Sequence, residues 1–336
     1  MKFYGVMISS RTSLILVYTR RSVGSCLRTL CFEFDPCVYK KISGILLAYL
    51  VLYVDGIFLI GNDVKMDVRI KSSYIEKVLK RFKMENSKRG FLPMRHRIKL
   101  TKKQSPKTDE ELKRMSDIPY ASAMGSIQYV VQRTRPDVAY ALSMTNRYQA
   151  CTTEAHWSAV KTILKYLKRT KDMFLIYGSG ELILEGYCDA SFQSDDDDVK
   201  SQSDFVFKLN GGVVVWKSSK QATTADSTTE AKYIASSEAA NEAVWMKNYI
   251  QELGVVPSIA EPIVIFCDNN WEIAQAKELR SHHCSKYILR GYHLLREMVS
   301  RGDVRMDRFR LAENIIDPLT KLKSQIAHTQ YLDKMG

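Results

Sequence analysis

Two aspartates each close a run of apolar, strand-like residues: Asp189 in GYCDAS and Asp268 in IFCDNN. A carboxylate in such a place is costly to bury alone, so a metal ion or another cation is its natural partner. Taken singly, each also reads as an exposed residue at a strand end. Asp55 stands in YVDG, between the apolar runs of ILLAYLVLYVDGIFLIGN over residues 45–62. Asp-Gly between apolar runs is a strong hairpin signal, and Gly is well suited to the second position of a type I′ turn. The run Asp195–Asp198 invites a metal reading, but consecutive side chains in a loop diverge, and a solvated acidic loop is the expectation. His282, His283, Cys284 and His293 match no zinc-ligand spacing. The seven cysteines are scattered and never form a CxxC pair, which reads as free thiols in a reducing compartment.

Cations are abundant. The net charge is +13 over 336 residues, with a pI near 9.3. That surplus favours polyanionic partners, nucleic acid first. Lys161, Lys165, Lys168, Arg169 and Lys171 lie on or just beyond one predicted helix, and Lys217 and Lys220 lie beside Trp216. Contacts from these groups to phosphate would be independent of sequence and sensitive to salt. A solvated helix face accounts for the first cluster equally well. The apolar run over 45–60 is too short and too broken by Asp55-Gly56 to span a bilayer, and the N-terminus shows no clear cleavage site. The expectation is an intracellular chain, cytoplasmic or nuclear.

The elements that must position these groups follow from periodicity. Residues 45–62 predict a buried hairpin. Residues 74–83 and 157–168 predict helices, the second with Trp157, Val160, Ile163, Leu164 and Leu167 at helical spacing. Residues 85–117 are polar and basic and read as loop. Leu182–Ala190, Phe205–Leu209 and Val213–Trp216 predict strands, the last two joined at Gly211-Gly212. A long helix follows from about Ser227 to Leu253, then a strand at Ile263–Cys267, helical segments and a strand near Val304–Phe309. A meander followed by alternating elements implies a mixed sheet packed with helices, hence an α/β chain. Gly178-Ser179-Gly180 marks a break near Tyr177–Glu181.

YVDG resembles the YVDD box of reverse transcriptases, and CVYKK (37–41) and LIGND (59–63) resemble its copia-type surroundings. MENSKRGFLPMRH (84–96), IPYASAMGSIQYV (118–130), RPDVAYALS (135–143) and HWSAVKTILKYLKRTKD (156–172) resemble the connecting segment of the copia-type retrotransposon Pol polyprotein. WKSSKQ (216–221), ADSTTEAKYIA (225–235), CDNN (267–270) and ENIIDPLTK (313–321) resemble its ribonuclease H domain. The joint order of these motifs is more specific than any one of them. The resemblance implies a partial reverse transcriptase palm and connection over 33–177. A ribonuclease H-like domain over 178–322, built on a mixed five-stranded sheet, and a tail over 323–336 would follow. Residues 1–32 match nothing.

The same resemblance assigns chemistry. Polymerisation needs carboxylates around two divalent ions. Asp55 is the polymerase remnant, Gly56 replaces its neighbour, and the upstream aspartate with the first half of the palm is expected to be missing. The ribonuclease H site of the family uses four acidic residues around two Mg²⁺ ions. Asp189, Asp268 and Asp317 fit three of them, as catalytic and metal-binding residues. The fourth falls in TEAEY of relatives, here Thr229-Glu230-Ala231-Lys232-Tyr233. A stripe of Ala231, Ala235, Ala239, Met246, Ile250 and Leu253 puts position 232 roughly 50° from its centre and position 230 roughly 150° away. Lys232 therefore occupies the expected glutamate position. Asp204, Tyr287 and Ile316 are further departures, standing for a turn glycine, a histidine and an alanine of relatives.

The expectation is a degenerate fragment, ancestrally capable of RNA-directed DNA synthesis and of cleaving RNA in RNA·DNA hybrids. Inactivity is expected as polymerase, and absent or very weak activity as ribonuclease H. Its partner would be an RNA·DNA hybrid or other nucleic acid, contacted by Lys161, Lys165, Lys168, Arg169, Lys217 and Lys220. Mg²⁺ binding is expected to be impaired, and no small-molecule cofactor or membrane is implied. Two rivals are a non-catalytic nucleic-acid-binding protein and a relic reading frame without a role.

Overall fold

A computed structural model describes residues 4–8, 38–43, 46–53, 56–61, 64–95, 98–173, 175, 182–253, 257–277, 289–309, 315–316 and 325–335, with the backbone alone before residue 72. Four strands come first: β1 (Tyr4–Ile8), β2 (Val38–Ser43), β3 (Leu46–Tyr53) and β4 (Gly56–Gly61). They form an antiparallel sheet in the order β1-β4-β3-β2. The expected hairpin is β3–β4, but its turn is displaced by one residue. Tyr53 pairs with Gly56, so Gly56 opens β4 and is not the second turn residue. Asp55 lies outside the described residues.

Helices α1 (Val64–Arg81), α2 (Asp109–Ser116), α3 (Tyr120–Thr134), α4 (Ala139–Asn146) and α5 (Glu154–Arg169) follow. In α5 the periodic stripe does what it predicts: Val160, Ile163, Leu164 and Leu167 are buried and the lysines lie outside. Helix α2 falls in the stretch expected to be loop. It has no buried residue and is held by its start. The Thr108 hydroxyl accepts the Glu111 N–H, and Glu111 accepts the Lys107 N–H at 2.9 Å. Asp109, Glu110 and Glu111 add negative charge at the positive helix end.

The second sheet comprises β5 (Glu185–Ser191), β6 (Gln202–Leu209), β7 (Gly212–Lys220), β8 (Ile263–Cys267) and β9 (Val304–Arg308), in the order β7-β6-β5-β8-β9. The first three are an antiparallel meander, and β8 and β9 join in parallel. This is the expected mixed five-stranded sheet of an α/β chain. The β6–β7 turn uses Asn210 and Gly211, both with positive φ, and Gly212 already belongs to β7. A type I′ turn needs positive φ at both central residues, and Asn tolerates it. Helices α6 (Thr228–Leu253), α7 (Asn270–Lys277), α8 (Leu289–Ser300) and α9 (Gln325–Met335) complete the order.

Both faces of this sheet are covered. Cys188, Phe205 and Phe207 pack with Tyr233, Ala239, Ala243, Met246 and Ile250 of α6. Alternation sends Tyr187, Val206 and Val213 to the other face, where they join the core formed by α1 and α3–α5. Ile316 is fully buried in the same core. No helix among the described residues is long and apolar enough to cross a membrane.

Candidate active site

The parallel register ends at Tyr187 opposite Phe266, so Asp189 and Asp268 lie two residues farther on, at one level of neighbouring strands. Asp189 is buried and its Oδ1 accepts the N–H of Ala190 at 2.8 Å. Lys232 stands near the start of α6, and its Nζ lies 3.4 Å from Asp189 Oδ1 while bonding Asp268 Oδ1 more closely. Burial opposes the ammonium, but Asp189 and Asp268 outweigh it and hold the lysine above its ordinary pKa. Glu230 points elsewhere. Its carboxylate accepts the N–H of Asp226, and its own N–H donates to the Ser227 hydroxyl at 3.1 Å, a helix-capping arrangement. Asp317 and Tyr287 lie outside the described residues.

Two further carboxyls crowd this centre. Asp204 does not sit in a turn: it is a β6 residue paired directly with Asp189, so the two side chains share one face. It is fully buried, and neither oxygen makes a well-formed hydrogen bond. Burial pushes its pKa well above the carboxylate range, Asp189 adds to the rise, and Ser218 and Gln202 oppose it only in part. Glu272 on α7 is buried and accepts the Ser236 hydroxyl. Burial raises it to about 7, with Asp268 and Asp189 adding to the rise. Sequence reading missed Glu272, which the packing of α7 brings beside Asp268 and Asp189. Cys188 and Cys267 lie beside it as buried free thiols.

These donors do not suit a divalent ion. Among the described residues no three His, Cys, Asp or Glu side chains are grouped to hold a metal. The ammonium stands between the two carboxylates that a metal would have to share. A lysine about 4 Å from a divalent ion repels it by roughly 8 kcal/mol at an effective dielectric of about 20, an upper bound for a side chain able to swing outward.

The acidic loop is solvated in part: Asp196 is exposed and Asp197 and Asp198 are half-buried, while Asp195 is withdrawn from solvent. Asp195 is buried and pairs with Arg147, just past the end of α4, at 2.9 Å and with Lys220 of β7 at 3.1 Å. Asp198 also pairs with Lys220, and Asp197 accepts the Lys102 N–H. The loop staples α4, β7 and residue 102 together. It also neutralises Lys220, and Lys217 pairs with Glu238 at 2.9 Å. Lys168 donates to the Ser87 carbonyl at 2.6 Å. Of the six expected nucleic-acid contacts, Lys161, Lys165, Lys168 and Arg169 meet no carboxylate among the described residues. His282, His283 and Cys284 lie outside the described residues.

The mixed five-stranded sheet, with paired aspartates at the ends of adjacent strands, defines an α/β chain with an acidic centre. Comparison with known proteins gives its family. A Pol polyprotein of transposon TNT 1-94 from Nicotiana tabacum is 35% identical over 325 residues, covering 86% of this chain. That of transposon RE2 from Arabidopsis thaliana is 32% identical over 218 residues, 65% of the chain. The chain belongs to the retrovirus-related Pol polyproteins of copia-type retrotransposons. It spans 24% and 15% of these two relatives. The secreted RxLR effector protein 161 of Plasmopara viticola is 43% identical over 133 residues, 39% of the chain and 94% of that protein. No family model matches. A foamy viral protease-reverse transcriptase solved with dsDNA aligns over 91% of the chain and 67% of its own, at 14% identity. Its TM-score of 0.34 is too low to carry an argument.

Proposed function

We propose that this chain is a nucleic-acid-binding remnant of a reverse transcriptase and ribonuclease H, with its hybrid-cleavage centre closed by Lys232. The observation that carries the reading is the Lys232 ammonium, bonded to Asp268 and 3.4 Å from Asp189. Water activation by two metal ions needs those carboxylates as shared ligands, and here they neutralise a side chain of the protein itself. Gly56 likewise supplies no carboxylate beside Asp55, so templated DNA synthesis is not expected. The net charge of +13 favours retained binding of nucleic acid inside the cell.

The test is cleavage of an RNA·DNA hybrid with Mg²⁺ and with Mn²⁺, run beside hybrid binding across a salt series. Salt-dependent binding without cleavage is the expected result. Efficient cleavage by the unaltered chain would overturn the closed centre. Absence of binding at low salt would favour a relic with no role.

A further inference from the structure

We propose that the outer face of α5 and the segment 88–91 together form a binding site for single-stranded nucleic acid. This rests on the nucleic-acid-binding reading above, and names a place that reading leaves open. Lys161, Lys165 and Arg169 recur every fourth residue, so they stand one above another at steps of about 6 Å. All three side chains reach the surface while Ile163, Leu164 and Leu167 face the core. None meets a carboxylate among the described residues, unlike Lys217, Lys220 and Lys171.

The neighbouring segment Lys88-Arg89-Gly90-Phe91 is docked onto this helix face. The Gly90 N–H donates to the Lys165 carbonyl at 2.9 Å. A Cβ on Gly90 would lie 3.0 Å from Tyr166 N and 3.1 Å from Lys165 Cβ, so a side chain there would push the segment off the helix by a few tenths of an ångström. The Lys168 ammonium fixes the same segment through Ser87. Docking holds Lys88 and Arg89 in solvent beside the stripe, and leaves Phe91 55% exposed. The Arg169 guanidinium lies 3.8 Å from the centre of the Phe91 ring.

An exposed aromatic ring stacked with an arginine is the arrangement on which unpaired bases stack, and cations alongside it suit the strand's phosphates. A duplex would use the cations but has no free base face for Phe91. The occupant is therefore single-stranded RNA or DNA, held without regard to sequence.

Fluorescence anisotropy with a labelled 16-nucleotide oligo-uridylate tests this on the full chain. Phe91→Ala should weaken binding about tenfold and leave the salt slope unchanged, the loss expected for one stacked base. The triple change Lys161→Ala, Lys165→Ala, Arg169→Ala should lower the log–log salt slope by about 2, at about 0.7 per phosphate contact on a single strand. Lys113→Ala with Arg114→Ala, on the exposed α2, is the charge control and should leave Phe91-dependent binding intact. Circular dichroism checks that each variant is folded. Wild-type affinity in both folded Phe91 and triple variants would place the site elsewhere while the binding reading stands. Competition by polyglutamate as strong as by oligo-uridylate would show charge attraction alone and overturn the proposal. Failure of the unaltered chain to bind any nucleic acid would remove both.

Discussion

Lys232 and Asp189 meet across the end of the second sheet, Nζ to Oδ1 at 3.4 Å, with the same ammonium bonded to Asp268. The lysine side chain is 19% exposed and the aspartate 4%, so the contact is shielded from water. One ammonium serves a centre holding Asp189, Asp204, Asp268 and Glu272. Asp204 and Glu272 are eased by protonation, since burial raises both. Asp189 and Asp268 have the lysine.

Lys232→Glu should therefore open the centre. It removes the resident cation and returns a carboxylate, so hybrid cleavage should rise above the wild-type level, and Mg²⁺ should raise the melting temperature of the variant alone. Lys232→Met tests the structural half. It should destabilise by about 2 kcal/mol without divalent ions, below the range for breaking a fully buried pair because Lys232 is partly exposed. Wild-type cleavage that vanishes in Glu230→Gln would show that the other position carries the chemistry.

The orientation of Lys232 was legible because helical period is geometric: an apolar stripe along 26 residues fixes which side of position 230 or 232 meets the sheet. The five strands were legible from apolar runs and turn residues. Both turn positions slipped by one, since the Asp55-Gly56 and Gly211-Gly212 signals were visible but the strand register deciding which residues turn was not. The burial of Asp195 within the acidic loop was not legible, because adjacent charges say nothing about distant cations. Asp195 is buried through Arg147, 48 residues away. Glu272 and Asp204 were opaque for the same reason: their burial depends on cross-strand and helix–sheet packing that no local pattern encodes.

Asp204→Ala should stabilise the fold. It removes two buried oxygens without well-formed hydrogen bonds, a gain of about 1–3 kcal/mol. The sign with pH is fixed by the raised folded pKa. The folded state holds a proton that the unfolded chain releases above its ordinary value, so wild-type stability falls as pH rises past that value. The advantage of Asp204→Ala in thermal melts should widen from pH 4 towards neutrality. An equal or lower melting temperature at pH 7 would show that Ser218 and Gln202 satisfy the carboxyl fully.

The RPD motif is a structural lock. Arg135 donates to both oxygens of Asp137, at 2.9 and 2.6 Å, and also to the Thr170 carbonyl and hydroxyl. Tyr166 donates to Asp137 at 2.6 Å and lies 2.9 Å from His328. Burial opposes the Asp137 carboxylate, but Arg135 and Tyr166 more than compensate and lower it to about 2. Asp137→Asn leaves a buried guanidinium without its counter-ion and should cost about 3–5 kcal/mol in urea unfolding. In the wild type this contribution is present above the unfolded carboxylate value and disappears as pH falls through about 2. A loss under 1 kcal/mol would mean that water enters the site.

Primer extension on a poly(rA) template should be absent, and Gly56→Asp should not restore it. Gly56 is the first residue of β4, opposite Tyr53, so the substitution adds one carboxylate near Asp55 and no third. Templated, Mg²⁺-dependent extension by the pure chain would refute this.

Glu272 should make stability fall across the mildly acidic range. Its pKa rises from 4.5 to about 7, chiefly through burial, with Ser236 and Lys232 pulling down and Asp268 and Asp189 pushing up. Below pH 4.5 both folded and unfolded states are protonated and burial of the neutral acid carries no titration cost. Between 4.5 and 7 the unfolded chain ionises first, so the folded state loses ground. Above 7 the loss levels off, on the order of 3 kcal/mol for that shift. Glu272→Gln keeps the shape and the Ser236 contact but cannot ionise. The two proteins should match near pH 4 and diverge up to pH 7, with the glutamine variant the more stable. Because the Lys232 charge favours ionised Glu272, Lys232→Met should leave the onset near pH 4.5 and carry the divergence on to higher pH. A flat difference between the wild type and Glu272→Gln across pH 4.5 to 7 would show that Glu272 ionises normally, within reach of water.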